Sequence, residues 1–200
     1  MKKIGIDFDN TIVCYDELFY KIAYEKNLIP EEVEKTKIAV RDYLRKNNKD
    51  HLFTLLQGEV YGNRILEASP APGVINAIKD LIKKGVEIYI VSHKSKYPFK
   101  GPKYNLHKSA MNWLEKNNLC SINNFGIKKS NVFFNPSKEL KVQKISKLGC
   151  NYFIDDLPEI LKLIDKKVIK IHYSPSNKLY SSSFVILKNW ESIKEIIFDE

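Results

Sequence analysis

Lys3-Ile4-Gly5-Ile6-Asp7-Phe8-Asp9-Asn10-Thr11 decides how this chain is read: a short apolar run enters two carboxylates spaced one residue apart, then a hydroxyl. The run is β-rich and too short for a helix, so it predicts a buried strand. In an open α/β sheet the carboxyl ends of the strands form the ligand crevice, and Asp7 and Asp9 would both be delivered there. Buried, unpaired carboxylates are costly, so the pair needs a cation, donors or solvent. The plain structural alternative is an acidic strand end closed by an Asx-turn.

A second acidic strand end argues against that alternative. In Ile154-Asp155-Asp156-Leu157-Pro158-Glu159 an apolar segment again runs into adjacent carboxylates. Hard oxygen ligands converging from two strands suit Mg2+, which keeps several waters and bridges to phosphate oxygens. Tyr89-Ile90-Val91-Ser92 is a further buried strand that ends in a hydroxyl, and His93 and Lys94 follow it either to reach a substrate or as part of a surface loop. Lys138, Lys141 and Lys144 lie upstream of the second acidic pair. A phosphate would find donors and positive charge among these groups.

Between the strands fall helical patterns. Gly73 to Lys84, Leu106 to Asn117, Lys138 to Leu148, Leu157 to Ile164 and Trp190 to Phe198 alternate with strands at Val86–Val91, Asn131–Phe134, Tyr152–Ile154 and Val168–His172. Such alternation predicts an α/β fold with a parallel sheet covered on both faces. From Tyr15 to Ala68 the alternation stops, and only amphipathic helical stretches appear: Asp16 to Asn27, Pro30 to Lys46 and Asp50 to Tyr61. We read residues 1–14 and 69–200 as a catalytic core and residues 15–68 as an inserted helical cap. Ser69-Pro70-Ala71-Pro72-Gly73 forms a stiff return linker, and Ser181-Ser182-Ser183 reads as a loop.

Composition narrows the function classes. The formal net charge is +9, which suggests nucleic acid, yet Arg41, Arg45 and Arg64 are its arginines and the rest of the positive charge is lysine. Solvated lysine faces fit better than a nucleic-acid surface, where arginine is favoured. No apolar run reaches the length of a membrane span, and the acidic Asp7 and Asp9 interrupt the N-terminal apolar stretch at once, unlike an export signal. Cys14, Cys120 and Cys150 are scattered without CxxC spacing, which fits a reducing cytoplasm better than a zinc site or a disulfide scaffold.

Taken in order, Asp7-Phe8-Asp9-Asn10-Thr11, Ser92 after an apolar strand, a downstream lysine and Asp155-Asp156 resemble the four motifs of haloacid dehalogenase (HAD) superfamily phosphatases. The resemblance covers Lys3 to about Glu159, and Phe184 to Phe198 is similar to that family's closing strand and helix. It implies a Rossmann-like core, Mg2+ as cofactor, and attack by the first aspartate on phosphorus. Asp7 would be nucleophile and metal ligand. Asp9 would be general acid/base, with its carbonyl on the metal. Thr11 would shape the loop on the phosphate side, where Ser92, His93 and Lys141 would bind the phosphoryl group. Asp155 would hold the metal with support from Asp156. Lys141 is preferred over Lys144 because Lys141-x-x-x-Ile145-x-x-Leu148-Gly149 places it near the start of the helix before the acidic strand. Asn10 stands where the family most often has glycine, and asparagine tolerates the left-handed turn.

An aspartate two residues after the nucleophile implies, within that superfamily, phosphomonoester hydrolysis or phosphomutase chemistry. The expected substrate is a small phosphorylated metabolite, a sugar phosphate or a nucleoside monophosphate. A nucleic-acid end phosphatase and a catalytically inactive binding module of the same fold are the competing readings. A receiver domain is excluded by the helical insert and by the position of the phosphoacceptor early in the chain.

Overall fold

The computed structural model describes residues 1–120, 126–175 and 184–198; Ser181-Ser182-Ser183 lies outside them. Six parallel strands form the main sheet: β1 (Lys3–Ile6), β2 (Glu87–His93), β3 (Val132–Asn135), β4 (Tyr152–Asp155), β5 (Ile169–Tyr173) and β6 (Val185–Leu187). Their order in space is β3-β2-β1-β4-β5-β6. The chain moves outward from β1 to β3, then returns to the other side of β1 for β4. The strand order therefore reverses between β1 and β4, the place where open α/β sheets bind ligands. Ile4 pairs with Ile88 on one side and with Tyr152 on the other.

The helices, in chain order, are α1 (Asp16–Glu25), α2 (Lys37–Lys46), α3 (Asp50–Gly58), α4 (Val74–Lys83), α5 (Leu106–Lys116), α6 (Lys138–Leu148), α7 (Pro158–Leu163) and α8 (Ile193–Phe198). Two compact units divide the chain. The sheet unit holds Met1–Ile12, Pro70–Lys94 and Asn117–Glu200, and the helical unit holds Val13–Ser69 together with Ser95–Lys116.

In the sheet unit the central strands are buried on both faces, as covered parallel sheets require. Ile4, Ile6, Ile90, Val91, Phe153 and Ile154 are buried. Gly5 is needed for close approach, because a Cβ there would lie 2.5 Å from Phe153 Cδ2. Helix α4 presents Val74, Ala77, Ile78 and Leu81 as one buried stripe. Helix α6 starts where the Ser137 hydroxyl accepts from Leu140 N and stops at Gly149, whose φ of +64° is left-handed.

In the helical unit, Phe19 stacks on Phe53 with ring centroids 5.3 Å apart and meets Tyr61 edge-on at 5.7 Å. Trp113 of α5 is fully buried and donates to Ala68 O at 2.8 Å. Helix α2 starts at Lys37, later than the expected Pro30. The Thr36 hydroxyl caps it by accepting from Ala39 N at 3.1 Å, while Pro30 to Thr36 is turned back by Val33 N to Pro30 O and Thr36 N to Glu34 O. Charged Glu31, Glu32, Glu34 and Lys35 are exposed and offer no apolar stripe to hold an extra turn. Beyond α3 the chain widens into a π-turn, Glu59–Asn63, rather than running on as α-helix to Tyr61. Gly62 lets it pass Tyr104, whose Cβ would be 2.6 Å from an added Cβ.

Candidate active site

Three strand ends and one helix start bring the polar residues of the sheet unit together. Asp7 directly follows β1, and its N–H still donates to Ile154 O of β4 at 2.9 Å, so Asp7 is tied to the neighbouring acidic strand. Asp155 is the last residue of β4, and one of its oxygens accepts from Leu157 N at 2.9 Å. Asn10 takes a φ of +58°, the left-handed conformation that its side chain tolerates. The Thr11 carbonyl accepts from Trp190 Nε1 at 3.3 Å, which anchors the loop beyond Asp9.

Lys141 decides how these groups interact. It lies in the first turn of α6, almost fully buried, with Nζ 2.6 Å from Asp7 Oδ1 and 2.6 Å from Asp155 Oδ2. Lys144 is elsewhere, its Nζ over the Phe133 ring at 4.4 Å from the centroid. The rotation of 100° per residue around a helix separates the two: Lys141 shares the buried face with Ile145, and Lys144 does not.

Asp7, Asp155 and Asp156 each offer an oxygen, and these lie within 4.8 Å of one another. Mg2+ holds oxygens at about 2.1 Å, so ligands on opposite sides are about 4 Å apart, and this all-oxygen set fits a hard divalent cation after small rotations. The charge agrees, since three carboxylates beside one ammonium leave the cluster net negative. Burial lifts the Asp7 carboxyl above its ordinary range; Lys141 opposes the lift, and the charge of Asp9 adds to it. Burial, then the Asp7 charge, push Asp155 up to about 7 against the pull of Lys141. Burial alone would lower Lys141, but the charges of Asp7 and Asp155 reverse that and hold it above the usual lysine value. A bound cation would relieve the repulsion between carboxylates that these shifts record.

Two hydroxyls expected at the site are buried as well. Ser92 Oγ and Thr11 Oγ1 are buried and have no hydrogen-bond partner among the described residues. Such atoms are costly unless a ligand satisfies them. His93, the next residue along β2, is exposed. The alternation of a strand sends Ser92 inward and His93 outward.

Two contacts escaped the sequence. Lys94, just beyond β2, is buried, and its Nζ donates to Asp9 Oδ1 and Oδ2 at 2.9 and 2.8 Å. His172 of β5 sits behind Asp156, with Nε2 3.2 Å from that residue's carbonyl oxygen. The sequence offers Lys94 only as a substrate contact or loop residue and is silent on its pairing with Asp9, because both contacts depend on which strands are neighbours.

Solved structures share this architecture. A phosphoserine phosphohydrolase-like protein of Francisella tularensis matches with a TM-score of 0.58 at 16% identity, over 99% of this chain and 100% of the other. A HAD-superfamily hydrolase of Ehrlichia chaffeensis matches at 0.54 and 16%, over 100% and 98%. A HAD phosphatase of Thermococcus onnurineus matches at 0.53 and 15%, over 100% and 99%. The chain has the fold of HAD-superfamily hydrolases, as its motifs implied. Among curated proteins, one from Bacillus cereus named "Putative nucleotidase" is 22% identical over 99% of both chains. A protein of Oceanobacillus iheyensis with the same description is 22% identical over 86% of this chain and 85% of its own. No family model matches the chain. Among the described residues no helix is long and apolar enough to cross a membrane.

Proposed function

We propose that this chain is a Mg2+-dependent phosphomonoesterase that works through a phosphoaspartate on Asp7 and acts on a small metabolite, a nucleoside monophosphate before a sugar phosphate. The observation that carries the reading is the buried Lys141, shared at 2.6 Å between Asp7 and Asp155 in a cluster whose third carboxylate is Asp156; the Ser92 hydroxyl, buried and unsatisfied among the described residues at the end of the neighbouring strand, supports it. A structural ion pair needs one carboxylate; this one has a surplus. The description of the two curated relatives favours the nucleotide.

Asp7, Asp155 and Asp156 would hold the magnesium ion, which when bound supplies positive charge to the phosphoryl oxygens. An Asp7 oxygen attacks phosphorus, the ester P–O bond breaks, and the leaving alkoxide takes a proton from Asp9. Lys141, with donors from Ser92 and Thr11, steadies the charge on the transferring oxygens. In the second step Asp9 takes the proton from a water as that water attacks phosphorus. The bond to Asp7 breaks, and phosphate and free Asp7 are released. In this reading the helical insert that follows β1 is a cap that selects the leaving group and keeps out bulk water. Cys14, Cys120 and Cys150 form no disulfide among the described residues, which suits a cytoplasmic setting.

The test is phosphate release by the purified protein from 4-nitrophenyl phosphate and from a panel of nucleoside monophosphates and sugar phosphates, with Mg2+ and with EDTA. Turnover with Mg2+ that EDTA removes, highest on a nucleotide, is expected. Absence of turnover on every ester would leave a binding module, and a sugar phosphate as best substrate would overturn the nucleotide preference.

A further inference from the structure

We propose that Lys94 is the positioning residue for Asp9: its ammonium clamps both oxygens of that carboxylate and fixes the direction from which Asp9 meets the leaving group. The inference rests on the proposed function, which gives Asp9 its task.

Four observations support it. The contact is two-pronged, at 2.9 and 2.8 Å, so it restrains both the position and the plane of the carboxylate. The lysine side chain is 3% exposed while Asp9 keeps 22%. The clamp is thus closed from behind, and Asp9 stays open to a substrate. The lysine is itself anchored. Its N–H donates to Asn135 O at 2.8 Å, and Asn135 Nδ2 donates to Ser92 O at 3.2 Å, tying the ends of β2 and β3 together. Finally, Nζ lies 5.6 Å from the centroid of the Phe8 ring, and Phe8 packs edge-on against Phe134 at 6.1 Å. Phe8 sits between the two catalytic aspartates, so the same side chain that spaces Asp7 from Asp9 also supports the clamp. An ammonium this dry is a poor stabiliser of the fold, because desolvation offsets most of its attraction. A held orientation for a proton-transfer group accounts for its presence.

Lys94→Met keeps the length and the apolar stem and removes the clamp. A series of aryl phosphates from 4-nitrophenyl to phenyl reads the effect without knowledge of the natural substrate. Good leaving groups need little help from Asp9, and poor ones need much. In Lys94→Met, kcat/KM should fall by about threefold on 4-nitrophenyl phosphate and by about a hundredfold on phenyl phosphate, the usual range for lost acid catalysis. Asp9→Asn should show the same steepened dependence, and adding Lys94→Met to it should change little. Lys94→Arg, which keeps two donors, should recover part of the loss. Lys94→Gln gives the same readout if the methionine variant does not fold. An equal loss across the series, or none, overturns the clamp while leaving the proposed function standing. A wild-type protein inactive on every aryl phosphate removes both.

Discussion

In the helical unit Arg64 pairs with Glu67 and Glu25, and Lys21 with Glu67, on side chains that are 19–54% exposed. In the sheet unit Lys141 and Lys94 hold their carboxylates on lysine side chains 2% and 3% exposed. The sheet unit has exposed pairs as well, Lys194 with Asp80 and Lys138 with Glu159, so the same chemical pair occurs wet in both units and dry at the strand ends of the sheet unit. Water screens the first kind until it is nearly neutral to stability. The second kind cannot be there for stability alone, since burying charges costs as much as pairing them returns. Dry ion pairs at strand ends therefore mark where the chain keeps charge for chemistry.

Replacing charges in each unit tests that contrast. Asp7→Asn should lower turnover by roughly ten-thousandfold or more, because the nucleophile is gone. Its melting temperature should not fall, since burial already disfavours the Asp7 charge; turnover within tenfold of wild type would break the contrast. Asp155→Ala should remove Mg2+-dependent activity and the rise in melting temperature that Mg2+ gives the wild type. Unchanged Mg2+ affinity by calorimetry would place the metal elsewhere.

A smaller effect is expected from pH in metal-free protein. Burial, then the Asp7 charge, raise Asp155 from 3.8 to about 7 in the folded state. A group raised on folding stabilises below its unfolded value and loses that contribution as pH climbs through the folded value. Melting of wild type relative to Asp155→Asn should thus worsen between about pH 4 and about pH 7, and Mg2+ should restore it. A flat difference would show that Asp155 carries no strained charge. The smallest effect belongs to Arg64→Met, where melting should move by no more than a few degrees and kcat not at all. A collapse of the helical unit would show that exposed pairs matter more than screening allows.

Much of the sheet unit was legible because its signals are local. Ile4 and Ile6, Tyr89 to Val91 and Tyr152 to Ile154 announce buried strands, and the residue after each run is polar for a reason the fold explains. The sequence preferred Lys141 to Lys144 from its place near the start of α6 but left the choice open, and it is the structure that buries Lys141 on the face shared with Ile145. The helical unit was less legible. A proline near a first turn suggested a helix from Pro30, but the Thr36 cap, seen only with its bond to Ala39 N, starts it seven residues later. The membership of Ser95–Lys116 in that unit was not visible either, because an amphipathic stripe on α5 says that a face is covered and not by what.

By itself the sequence determined the parallel α/β class, the two acidic strand ends and the hydroxyl of Ser92, all of which follow from residue types at fixed short spacings. The tertiary structure decided that the strand order reverses between β1 and β4, that Lys94 reaches Asp9, and that His172 backs Asp156. These are distances between residues far apart along the chain. They depend on which strands lie side by side, a choice set by the summed burial of whole elements and not by any local spacing.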